Sequence, residues 1–139
     1  MPQAIDEYLE ARVLTAPPEE LHLMVVDGAI RHATRAEAAL EQRDFETAWF
    51  ALNRARELTV ELIGGLNPEH APELVADLKR LFGFVYRSLN EAGVLHDAEK
   101  VRGALTVLRI HRETWRELLQ DRKNAAAGAP ESAGESWTT

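Results

Sequence analysis

The stretch DFETAWFALNRARELTVELIGG, residues 44–65, decides the fold class. It opens on an aspartate, whose carboxylate suits a helix N-cap, and closes on two glycines, which suit a helix end. Between them Phe45, Trp49, Leu52, Ala55 and Leu62 recur at three- and four-residue steps, with Thr59 in the same row. That is the period of an amphipathic helix, and no run in the chain shows the sustained alternation of a strand. Similar segments lie on either side. Pro17-Pro18 opens one that runs to about Gln42 on the row Leu21, Met24, Gly28, Ala36 and Leu40, with His32 between them. Proline fits the first helical turn, and Glu19 and Glu20 fit the positive end of the helix dipole. A third segment opens at Pro68 or Pro72, with Pro68 the expected start. It carries Leu74, Leu78, Leu81, Val85, Leu89 and Ala92 and is expected to stop at Gly93. Asp97 caps the fourth, whose row is Val101, Leu105, Leu108, Trp115 and Leu119.

Helices of this size span roughly 30–40 Å at 1.5 Å per residue. The links between them are short, which forces neighbours to run antiparallel. The expected fold is therefore all-α, an antiparallel up-down-up-down four-helix bundle over residues 17–124. An α-solenoid would need a sequence repeat, and none is visible. Residues 1–16 form an N-terminal strip outside the bundle, with Ile5, Tyr8, Leu9, Val13 and Leu14 among polar residues. Residues 125–139 are rich in alanine, glycine, serine and proline and read as a disordered tail, with Trp137 an idle aromatic in it.

Composition bounds the function. The chain has 139 residues, 45% apolar and 28% charged, with 16 basic and 23 acidic side chains and a net charge of −7. That is globular composition in one domain. The absence of cysteine excludes a disulfide scaffold, a thiol nucleophile and thiolate metal sites. With no apolar run of membrane-span length and no signal-like start, the chain is expected to be cytoplasmic, with no membrane insertion. The acidic balance argues against nucleic acid as a partner.

No catalytic constellation emerges, so no enzyme activity, cofactor or metal is expected. A helical di-iron site needs two Glu-x-x-His pairs on facing helices and two further glutamates. This chain has one such pair, Glu19 with His22, and it sits at a helix start. His70 and His96 fall in or near loops, and His111, one turn before Trp115, lies at the core edge. His32, with Arg35 one turn on, suggests a phosphorelay histidine. The small-residue patch that lets a receiver approach is missing there, with Glu37 in its place. No phosphate-cradling glycine loop and no G-x-S-x-G motif are present.

What stands out is apolar perimeter beyond the three positions in seven that a bundle helix needs. Leu23, Val26, Ile30, Leu58, Phe82, Phe84, Tyr86, Val107 and Ile110 are of this kind. Two readings stay open on pattern alone. Such residues seal the edges of the core, or they line surface grooves that receive an amphipathic partner helix.

The run from Tyr8 to Leu21, Y-L-E-A-R-V-L-T-A-P-P-E-E-L, followed by L-M-V-V-D-G-A-I-R at Leu23–Arg31, resembles the flagellar secretion chaperone FliS family. Asp44 to Ala55, Leu78 to Phe84, Asn90-Glu91-Ala92 and Arg112-Glu113-Thr114-Trp115 resemble later family segments, in the family's order. Pro17 departs from the family's serine, Val26 from its tyrosine, and Phe82-Gly83 from its tyrosine–aspartate pair. The resemblance implies a bundle that holds the C-terminal segment of flagellin, prevents premature polymerisation and delivers flagellin to the flagellar export gate. It implies a flagellin-binding role for Ile5 and Tyr8, which match the family's amino-terminal Ile-x-x-Tyr. The partner-binding residues expected here are Ile5, Tyr8, Leu9, Leu58, Leu62, Leu81, Val85, Val107 and Ile110. A second copy of the chain, forming a homodimer, is the alternative occupant of an open groove.

Overall fold

The structure, a computed structural model, describes residues 18–69 and 71–128. Four helices follow one another: α1 (Pro18–Glu41), α2 (Phe45–Gly64), α3 (Pro72–Leu95) and α4 (Ala98–Gly128). Each packs mainly on two others, in the ring α1–α2–α3–α4–α1, which is the expected antiparallel four-helix bundle.

The helix ends follow from local chemistry. At the α1–α2 corner Arg43 takes a left-handed conformation, φ 58°. The N–H of Arg43 donates to the Leu40 carbonyl at 3.1 Å and that of Asp44 to the Ala39 carbonyl at 2.9 Å. These are the two bonds of a Schellman cap, made here without glycine. Asp44 is the N-cap of α2 as expected, its Oδ1 accepting the Thr47 N–H at 3.2 Å. His96 closes α3 in the same left-handed way, φ 53°, and Asp97 accepts the Glu99 N–H at the head of α4. The two corners lie at one end of the bundle. Phe45 stacks on His96 there at 3.8 Å between ring centres, and the Arg43 guanidinium lies over the Phe45 ring at 5.5 Å.

Three boundaries differ from expectation. α3 starts at Pro72 and not at Pro68. A helix begun at Pro68 would carry Pro72 in its interior, where the ring clashes with the preceding turn. Asn67 instead turns the chain, its Oδ1 accepting the Glu69 N–H. α3 also passes through Gly93 to Leu95. A Cβ at Gly93 would lie 3.4 Å from Leu52 Cδ1, so this glycine sits against α2 within the helix. α4 runs through the alanines after Asn124 to Gly128, past the expected boundary at 124. Alanine has the highest helix propensity. Arg122 with Glu19 (3.1 Å) and Lys123 with Glu20 (3.5 Å) tie this last stretch to the head of α1. The remainder of the expected tail, with Trp137, lies outside the described residues, as does the N-terminal strip.

The core has a coiled-coil step. Val26, Ala29, Ala33, Ala36 and Leu40 on α1 alternate steps of three and four, as do Ala48, Ala51, Ala55, Leu58 and Leu62 on α2. α3 gives Val75, Leu78, Phe82, Val85, Leu89 and Ala92 in the same rhythm. Val26 and Phe82, expected at the perimeter, are fully buried, whereas Trp49 and Leu74, expected in the core, are exposed.

Leu58, Leu62 and Val85 are corrected from groove residues to core residues. All three are buried in the central cluster. Leu58 fills the space left by Gly28, where a Cβ would approach its Cδ1 to 3.1 Å. Replacing a buried leucine with alanine typically costs about 2–5 kcal/mol. Leu58→Ala is expected to lower the unfolding free energy within that range in urea titrations, and Trp49→Ala, at an exposed site, by less than about 1 kcal/mol.

Candidate functional site

Three of the expected partner-binding residues come together between α3 and α4. Leu81 of α3 and Val107, Ile110, His111 and Thr114 of α4 line an open depression of about 230 Å³. Leu81 and Val107 are half-buried against the core, and Ile110 is 63% exposed. Helical spacing extends the surface in both directions. Val107, Ile110, Thr114 and Leu118 share one face of α4, and Leu74, Leu81 and Phe84 share one face of α3. Leu74, Phe84 and Leu118 are all exposed. Residues 107–118 cover about 16 Å of helix, or three turns. Lys100 of α4 pairs with Glu91 of α3 at 3.1 Å, two turns beyond Val107 and Phe84, and bridges the two helices there.

The lining is apolar in effect as well as in composition. Thr114 donates its hydroxyl to the Ile110 carbonyl at 3.0 Å, which leaves its methyl group as the unengaged part of the side chain. Among the described residues no buried side-chain N or O atom lacks a hydrogen-bond partner. An apolar surface with its polar atoms already satisfied gains most from apolar contact.

His111, at the edge of the depression, belongs to a histidine pair that no sequence pattern marks, because its members are 89 residues apart. His22 of α1 and His111 of α4 bring their Nε2 atoms to 2.7 Å. Phe82 lies edge-on to His111 at 5.0 Å, and Trp115 lies 4.4 Å from the His22 ring. The Trp115 indole donates to the Glu19 carbonyl at 2.9 Å, which fixes its place over the head of α1. Burial pushes the His22 imidazole down to about 4, with the neighbouring His111 adding to the effect, and burial lowers His111 as well. The Glu-x-x-His pair is thus divided: His22 faces His111, while the Glu19 carboxylate holds Arg122. Among the described residues no group of three or more histidines or carboxylates is placed to hold a metal ion.

The other expected residues fall elsewhere. Leu58, Leu62 and Val85 are in the core, and Ile5, Tyr8 and Leu9 lie outside the described residues. The structure adds Phe84 and Leu118 to the groove face. It also shows an exposed aromatic pair, Trp49 and Phe50, packed edge to face at 5.0 Å on α2, a helix that does not flank this groove. No described helix is long and apolar enough to cross a membrane.

Comparison with known proteins gives one consistent result. The model of a family described as flagellar protein FliS matches residues 1–122. The flagellar secretion chaperone FliS of Salmonella typhimurium is 30% identical over 111 residues, covering 79% of this chain and 82% of that protein. Its counterpart in Bacillus subtilis is 27% identical over 122 residues, covering 88% and 90%. A crystal structure of a flagellar chaperone from bacteria shares the fold, with a TM-score of 0.71 at 18% identity over 86% of this chain and 97% of that one.

The histidine pair gives a pH dependence with a definite sign. Both imidazoles are held below their ordinary value of 6.5, so the unfolded chain binds protons before the folded one does. Stability is then full above about 6.5 and falls as the pH drops from there towards about 4. Urea titrations across this window are expected to show that decline, and a His22→Phe variant to show a shallower one. An equal slope in both would assign the effect to other groups.

Proposed function

The chain belongs to the FliS family of flagellar secretion chaperones, and from that premise we propose that the α3/α4 groove holds the C-terminal segment of flagellin as an amphipathic helix. The observation that carries this reading is the row of apolar side chains, Leu81, Val107 and Ile110 extended by Phe84 and Leu118, left open over about three helical turns with its polar atoms satisfied. Filament subunits need apolar stripes to assemble, and those stripes are exposed before assembly. A groove of this kind covers one stripe and blocks self-association while it stays occupied.

The energetics suit a carrier. Folding a disordered segment on binding opposes association by about 2–5 kcal/mol or more. Affinity per unit of buried area is therefore moderate, which favours later release. Release would take place at the flagellar export gate, with the carrier acting on the cytoplasmic side before secretion. No step of this role breaks a covalent bond, and the family is one of chaperones and not of enzymes.

Ile110 provides the test because it is exposed, so altering it leaves the core alone. Ile110→Asp is expected to weaken binding of the cognate flagellin's C-terminal segment by at least about tenfold, or about 1.4 kcal/mol, in titration calorimetry. Its thermal midpoint should stay close to that of the parent chain. Association should carry a negative heat-capacity change, the mark of apolar burial. Unchanged affinity in the variant would place the guest on another face.

A further inference from the structure

The groove and the histidine pair meet in one residue: His111 lines the depression and also contacts His22. We propose that guest binding in this groove is coupled to proton release from the His22–His111 pair, so that an apolar segment and a proton compete at His111. This deepens the chaperone reading and rests on it.

The geometry supplies the mechanism. A 2.7 Å contact between two Nε2 atoms needs one proton on one ring and a lone pair on the other. Two neutral imidazoles of opposite tautomer satisfy this. A further proton on the acceptor's Nε2 would set N–H against N–H and break the bridge between α1 and α4. A further proton on the donor's Nδ1 would keep the bridge but place a cation among Phe82, Trp115 and the groove wall. In the open groove, water reaches the edge of this site and solvates such a cation. An apolar guest seated on Leu81, Val107 and Ile110 would remove that water and raise the cost of the charge.

The charged groups around the pair do not offset this. On α1, Glu19 holds Arg122 and Asp27 holds Arg112, both arginines coming from α4. Adjacent to the first of these pairs, Glu20 pairs with Lys123. From α3 the pair meets the Phe82 ring, and Leu81 lines the same depression as His111. Each nearby carboxylate thus has a cation of its own and is not placed as a counter-ion for an imidazolium.

The experiment titrates the full chain with the cognate flagellin's C-terminal segment at about pH 7 and about pH 5, where an ordinary histidine changes charge. Imidazole NMR of the free and loaded chain runs in parallel. Affinity is expected to fall about threefold at the lower pH, a change of the size that partial release of one proton gives. The NMR midpoints of His22 and His111 should move to lower pH in the loaded chain. In a His111→Gln variant the ratio of the two affinities should fall towards one, whatever its affinity at neutral pH. The NMR shift on the unaltered chain decides the matter if the variant folds poorly. Tight binding with midpoints that do not move would overturn the coupling and leave the chaperone reading intact. No binding at about pH 7 would overturn both.

Discussion

Close approach along α1 is the constraint from which the rest of the molecule follows. Gly28, Ala29, Ala33 and Ala36 give that helix a seam of small side chains, all buried. α2 and α4 settle against it, and Leu58 reaches into the space over Gly28. Small residues on one helix and larger ones on the facing helices fill the interior in coiled-coil rhythm. Once Phe82, Leu89, Leu105 and Leu108 have filled the centre, the apolar residues at the α3 and α4 edges are covered only in part or not at all. Leu81, Val107 and Ile110 are that surplus, and their position between two helices makes a groove of it. Its outer face has apolar surface to gain from covering by an apolar guest.

The helices were legible in the sequence because their ends are chemical. Asp44 and Asp97 cap, and the chain leaves helix at Gly64-Gly65, as their types suggest. The registers were harder to see, because alanine carries so many core positions. Ala29, Ala33, Ala48 and Ala51 add little to a hydrophobic pattern, so the eye follows larger neighbours such as Trp49 and Leu74, which turn out to face solvent. The same effect moved Val26 and Phe82 to the perimeter and drew Leu58, Leu62 and Val85 into the expected groove, when all five are core. Val107 and Ile110 exceed what a heptad seam requires, and they line the α3/α4 depression together with Leu81, a member of the main row of α3. The extension of α4 to Gly128 was missed for the opposite reason. Alanines beside glycine and proline read as a loose tail, although Arg122 and Lys123 secure that stretch to α1.

The His22–His111 contact shows what a linear reading cannot hold. Each histidine alone suggests a surface residue or a core-edge residue. Brought to 2.7 Å within an aromatic enclosure, they become a neutral, hydrogen-bonded strut between the first and last helices. One end of the strut, His111, lines the groove, and through it the proposed coupling would join the groove to the protonation of the pair. Family membership gives the carrier role its context, and the α3/α4 face is the place proposed for it.

Methyl NMR of the full chain, with flagellin's C-terminal segment added stepwise, locates the guest without altering any residue. A guest seated between α3 and α4 should shift the methyl signals of Leu81, Val107, Ile110 and Leu118 most strongly. Those of Leu52 and Leu62, in the interior on α2, should move little. Shifts centred on Val60 and on the ring protons of Trp49 and Phe50, with the α3/α4 methyls silent, would contradict the assignment of this groove as the seat of the guest.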